Sequence, residues 1–116
     1  MFERFKQHLR ALHEVDALSQ RDLDEIGMSK GDLRAVLTTG PEVLARMEKM
    51  AALHGLSHRA LTENRSDYVG FVAECRHCGA VRTCEKALAN ASVTAAETAF
   101  CPNAAAYDAM AAGQTA

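Results

Sequence analysis

Residues 68–88 read YVGFVAECRHCGAVRTCEKAL, and residues 99–104 read AFCPNA. All four cysteines of the chain, Cys75, Cys78, Cys84 and Cys101, fall in these two stretches, with the spacing Cys-x2-Cys-x5-Cys-x16-Cys. Tyr68, Val69, Phe71 and Val72 recur at helical spacing and lead straight into Cys75, with Ser66 as the expected cap. Cys75 and Cys78 are three apart, so they share one helix end or one tight knuckle, and Gly79 turns the chain after them. A helix from about Thr83 to Leu88 puts Cys84 at its start. Another, beginning near Pro102 and carrying Tyr107 and Met110, does the same for Cys101. Helix N-termini offer free N–H groups and a positive dipole end, which lower a thiol's pKa and favour a negatively charged metal–thiolate centre. Arg76, Arg82 and Lys86 add positive charge nearby. His77 sits within the knuckle as a polar loop residue, and Asn103 follows the Cys-Pro step. These five complete the expected surroundings of four cysteine ligands.

The same helical reading extends toward the N-terminus. Phe2, Phe5, Leu9, Leu12 and Val15 form one face of a first helix, with Arg4, Lys6, Arg10 and Glu14 on others. Packing on the domain core is the expected use of that apolar face. Ser19 with Asp22 makes a capping box and Gly27 a C-terminal stop. Ser29 with Asp32 starts the next helix, whose apolar face is Leu33, Val36 and Leu37. This helix–turn–helix pair would offer DNA only Lys30, Asp32 and Arg34, a nearly neutral set that cannot neutralise several phosphates. Gly40-Pro41 opens a further helix with Val43, Leu44, Met47, Met50 and Leu53 on its buried face, closed by Gly55. Ser57 caps a short one carrying Ala60 and Leu61.

Composition agrees. The chain has 116 residues, no Trp and two prolines, with abundant Ala, all of which favour helix and fit one domain. The expected architecture is all-α: a compact single-domain bundle of short helices around a four-cysteine metal site. Residues 1–39 form the N-terminal helices, 40–112 the four-cysteine module and 113–116 a frayed tail. The formal net charge is −2, with neither a basic nor an acidic tail, which gives little case for a nucleic-acid partner and none for a membrane. There is no secretory signal and no segment long enough to span a bilayer, so the expected location is the cytoplasm, where clustered cysteines point to metal or redox chemistry before structural disulfides. A thioredoxin-like dithiol at Cys75 and Cys78 would need strand–helix alternation, and the pattern is helical throughout.

Two metal centres suit four thiolates. A mononuclear zinc site places its sulfurs ~3.8 Å apart, as follows from Zn–S of ~2.3 Å in a tetrahedron, and commonly pairs two Cys-x2-Cys knuckles. Here only one pair has that spacing. The x5 and x16 gaps suit a larger core reached from separate helix ends, so a [4Fe-4S] cluster is favoured and Zn2+ is the alternative. Cys-x2-Cys-x5-Cys also resembles the last three ligands of the helical iron–sulfur loop in endonuclease-III-type DNA glycosylases. Their remaining cysteine precedes the run whereas Cys101 follows it, so the resemblance carries ligand spacing and not repair activity. His8, His13, His54 and His58 are scattered and are assigned no metal.

Residues 18–33, LSQRDLDEIGMSKGDL, resemble the core motif of short bacterial proteins with LSDRELxDIGLSRGDI. Some of those carry an arginine-rich tail and a suspected RNA-linked role, and this chain lacks the tail. From Gly40 onward the chain resembles an uncharacterised bacterial four-cysteine family ending in (F/Y)CPNA, matched by Cys75, Cys78, Cys84 and Phe100-Cys101-Pro102-Asn103-Ala104. The resemblances imply one helical domain with the cysteines as its site, and no established activity.

No G-x-S-x-G, P-loop, H-E-x-x-H or dinucleotide fingerprint is present, so no enzyme is expected. The leading expectation is a small iron–sulfur protein acting as a redox- or iron-responsive regulatory module with a protein partner. The alternatives are a structural zinc module that binds protein or RNA, and a one-electron carrier.

Overall fold

The computed structural model describes residues 2–115, and the side chains of residues 2–113. It is all-helical. Among the described residues there are eight α-helices, one 3-10 helix and no strand: α1 Phe2–Ala17, α2 Gln20–Ile26, α3 Lys30–Thr38, α4 Pro41–Leu53, α5 His58–Glu63, α6 Arg65–Arg76, α7 Val81–Ala89, the 3-10 helix Ala95–Thr98, and α8 Ala104–Thr115. None of the helices is long and apolar enough to cross a membrane. The chain divides into two compact units, Met1–Thr39 and Gly40–Ala116.

In the first unit, local chemistry sets the helix ends. The Ser19 hydroxyl accepts from the Asp22 N–H while an Asp22 carboxylate oxygen accepts from the Ser19 N–H, a reciprocal capping box. Gly27 ends α2 with φ 79°, in the left-handed region. Ser29 caps α3 in the same way as Ser19, through the Asp32 N–H. The end of α1 is tied to α3 by an Arg34–Asp16 ion pair and by Lys30 Nζ, which donates to the Asp16 carbonyl at 3.1 Å. Lys30 and Arg34, the two cations of the helix–turn–helix pair's second helix considered above, are therefore engaged within the unit. The apolar face of α1 does not end up buried. Val15 is buried, but Phe2, Phe5 and Leu9 are 76%, 60% and 47% exposed. Leu37 is exposed as well, and α3 has no buried residue.

The second unit is organised on α4, which packs against α5, α6 and α7. Pro41 occupies its first turn, where the missing N–H costs nothing. Met47, Met50 and Ala51 are buried. Gly55 (φ 89°) ends the helix in a Schellman motif: the Leu56 N–H reaches the Ala51 carbonyl at 2.9 Å and the Gly55 N–H the Ala52 carbonyl at 3.0 Å. Leu56, Leu61, Phe71, Val72 and Tyr107 complete the core, with the Phe71 and Tyr107 ring centroids 5.0 Å apart and tilted by 59°.

Several boundaries differ from the sequence expectation. Asn64, not Ser66, caps α6, because its side-chain oxygen takes the Asp67 N–H. Helix α7 begins at Val81, so Cys84 is its fourth residue and its N–H is already bonded to the Ala80 carbonyl at 2.9 Å. Helix α8 begins at Ala104, two residues after Pro102, and runs to Thr115. Ala116 lies outside the described residues. The 3-10 helix has no counterpart in the sequence expectation. It starts in a capping box between Thr94 and Glu97, a pattern present in the sequence.

Candidate metal centre

Three segments of the second unit deliver the cysteines. Cys75 lies in the last turn of α6, and Cys78 follows in the turn, where its N–H reaches the Cys75 carbonyl at 3.4 Å. Cys84 is carried by the first turn of α7 and is buried. Cys101 stands between the 3-10 helix and α8, in a turn closed by the Ala104 N–H on its own carbonyl at 3.0 Å. All four cysteines line one small cavity of about 20 Å³, together with Arg46, Asn103 and Tyr107. Met47, Met50, Phe100 and Pro102 supply its apolar wall. All four are free thiols.

Cys75, Cys84 and Cys101 have raised pKa values, by burial first and then by neighbouring thiols of like charge. Burial pushes up Cys84, to about 11, and Cys101, Cys75 and Cys78 push it further. Burial is also the main cause of the raised value of Cys75, opposed by the Arg46 cation, and of Cys101, opposed by the backbone N–H groups of Asn103 and Ala104. The helix-end donors expected from the sequence are present at Cys101, but desolvation outweighs them. Cys75, Cys84 and Cys101 thus favour the protonated thiol, and any metal that binds them must displace protons.

Each sulfur nevertheless has a donor or a cation directed at it. Arg46 serves Cys75 by charge and by a side-chain hydrogen bond, and Cys84 by charge. The Ala80 N–H lies 3.3 Å from Cys78 Sγ. Cys101 has the N–H groups of Asn103 and Ala104. Against this, Cys75 Sγ points to the Val43 carbonyl at 3.9 Å, a contact that suits the thiol and not the thiolate. Among the described residues no group of three or more His, Cys, Asp or Glu side chains stands where it could hold a single metal ion.

The five residues expected around the cysteines fall in different places. Arg76, His77, Arg82 and Lys86 are exposed and lie outside the cavity lining. The reason is angular: a residue one or two positions from a helical cysteine points about 100° or 200° away from it. His77 borders a neighbouring groove that also reaches Cys78. Asn103 does line the cavity and is buried, its Nδ2 donating to the Phe71 carbonyl at 3.1 Å and to the Tyr107 hydroxyl at 3.3 Å.

Arg46 and His54 carry weight the sequence reading does not give them. Arg46 shares the inward face of α4 with Met47 and Met50, and that spacing is the available signal. His54, also buried, caps α4 and holds two segments at once. Its Nδ1 is 2.5 Å from Asp108 Oδ1 on α8, and its Nε2 is 2.8 Å from Thr98 Oγ1 on the 3-10 helix. The Thr98 hydroxyl proton goes to the Ala95 carbonyl at 2.7 Å, so its oxygen accepts from Nε2. The array has the outline of a catalytic triad, but Thr98 is fully buried and has already committed its proton, so the array serves as a tether.

The fold and site together define an all-helical protein whose second unit gathers four cysteines around one cavity. The chain belongs to a family of unknown function, DUF6455, which matches residues 34–113 and so spans every cysteine and both ends of the His54 tether. No curated protein and no solved structure matches the chain.

Proposed function

We propose that the protein binds one [4Fe-4S] cluster through Cys75, Cys78, Cys84 and Cys101 and acts as a redox- or iron-responsive module for a protein partner. The observation that carries the reading is the convergence of all four cysteines on one cavity, with Arg46 and backbone N–H groups facing the sulfurs. The single Cys-x2-Cys pair and the wide x16 gap favour a cluster over zinc. The responsive role follows from where the ligands sit. They belong to the end of α6, the start of α7 and the approach to α8, so a bound centre cross-links three helices. Its loss removes those links and returns thiols that favour their protons.

The test is metal analysis of protein purified without oxygen. Iron and acid-labile sulfide in near-equal amounts, with visible thiolate-to-iron absorbance, support the reading. Colourless protein holding one zinc per chain refutes it in favour of a structural zinc module. Cys84→Ala and Cys101→Ala should each abolish metal binding, and full metal content in both would end the single-site reading.

A further inference from the structure

Four thiolates leave an iron–sulfur centre negatively charged, and one added electron makes it more so. A fixed charge at the cavity wall therefore sets how readily that electron is accepted. The cations nearest in sequence are not at the wall. Among the described residues, the charged one that lines the cavity is Arg46, brought from α4, 29 positions before Cys75. Its side chain is 12% exposed, and Nη1 lies 3.8 Å from Oε1 of Glu85, the residue after Cys84. The Glu85 side chain is 63% exposed, so its carboxylate keeps its water, and at this distance the pair is a weak one. The guanidinium has five N–H donors, enough to meet a sulfur and Glu85 together. Glu42 and Lys49, of opposite charge, line the groove on the outer side of Arg46, where solvent screens them.

We propose that Arg46 is the charge-setting residue of the centre and Glu85 its counterweight: the guanidinium raises the reduction potential of the bound cluster, and the carboxylate, by offsetting that charge, lowers it. The inference rests on the [4Fe-4S] reading. The step concerned is the addition of one electron from an electrode to the cluster, with no bond broken and no proton moved. The two other sulfurs, served by neutral backbone N–H groups, should respond little to either residue.

Wild type, Arg46→Gln, Arg46→Lys and Glu85→Gln are purified anaerobically, assayed for iron and sulfide, and measured by voltammetry. Arg46→Gln should lower the potential, Arg46→Lys should restore part of the loss, and Glu85→Gln should raise it. In the double variant Arg46→Gln/Glu85→Gln the effect of Glu85→Gln should shrink, since the cation it offset is gone. Loaded clusters with unchanged potentials in Arg46→Gln and Glu85→Gln, or shifts of the same sign, overturn this inference and leave the cluster reading standing. Should Arg46→Gln fail to load, the opposite signs required of Arg46→Lys and Glu85→Gln still decide it. Wild-type protein without iron and sulfide overturns both.

Discussion

Replacing Asn103 tests the geometry of the site without touching a ligand. Its amide nitrogen donates to the Phe71 carbonyl of α6 and to the Tyr107 hydroxyl of α8, and the side chain is buried. Asn103→Ala deletes both bonds. Each is worth about 0.5–1.5 kcal/mol net, and a buried phenol oxygen left unpaired adds about 1–3 kcal/mol more, so a loss of about 2–6 kcal/mol is expected. Asn103→Asp should be worse. It keeps the shape but turns the donor into an acceptor, setting a carboxylate against a carbonyl and a phenol oxygen in a buried place. Urea unfolding of the metal-free protein, followed by far-ultraviolet circular dichroism, measures both. The midpoint should fall in the order wild type, Ala, Asp, with an unchanged slope. A wild-type midpoint in Asn103→Ala, or Asn103→Asp as stable as Asn103→Ala, would show that the amide's donors do not hold this junction.

The remaining expectations are simpler. The metal-free protein should lose stability at alkaline pH. Cys84 titrates at about 11 when folded against 9.0 ordinarily, and Cys75 and Cys101 shift the same way, so their contribution is intact below about 9 and disappears as pH rises through about 11. Urea midpoints measured from pH 8 to 11 check this, and a flat profile would mean the thiols are not desolvated. Two glycines should respond with opposite signs in thermal unfolding. Gly55→Ala has room, its new Cβ meeting Ala111 at 3.8 Å, but φ of 89° costs a side chain about 1–2 kcal/mol. Gly70→Ala, inside α6 with nothing within 4 Å of the new Cβ, should stabilise by about 0.5–1 kcal/mol.

What is legible in the sequence is what neighbours decide. Ser19 with Asp22, Ser29, Gly40-Pro41, Gly55 and Ser57 each fix a helix end through bonds within a few residues, and these ends stand where the sequence puts them. Asn64 against Ser66 is a choice between two competent caps two residues apart, which local chemistry alone does not settle. The exposure of α1 escapes the sequence for a different reason. Periodicity defines a face and says nothing of whether another element covers it, so Phe2 and Phe5 stay exposed although the helix forms as expected. The site is half legible. Four clustered cysteines draw attention to themselves, whereas the cation comes from Arg46 on another helix, and sequence proximity points to Arg76, Arg82 and Lys86 instead.

The long gap before Cys101 shows why the rest is hidden. Between Cys84 and Cys101 lie the end of α7, a turn and the 3-10 helix, and none of these carries a large apolar side chain into the core. The segment is held instead by polar tethers on either side of the cysteine. Three residues before it, Thr98 accepts from His54 at the end of α4. Two residues after it, Asn103 donates to Phe71 on α6. Asp108, the only charge after Pro102, closes the first tether from α8. Polar anchors are directional, so they fix the path of the backbone on both sides of Cys101. Cys101 meets the other three sulfurs because two helices far from it in sequence grip its flanks. The position of Cys101 is therefore a property of the whole second unit, and the spacing of the cysteines alone could not disclose it.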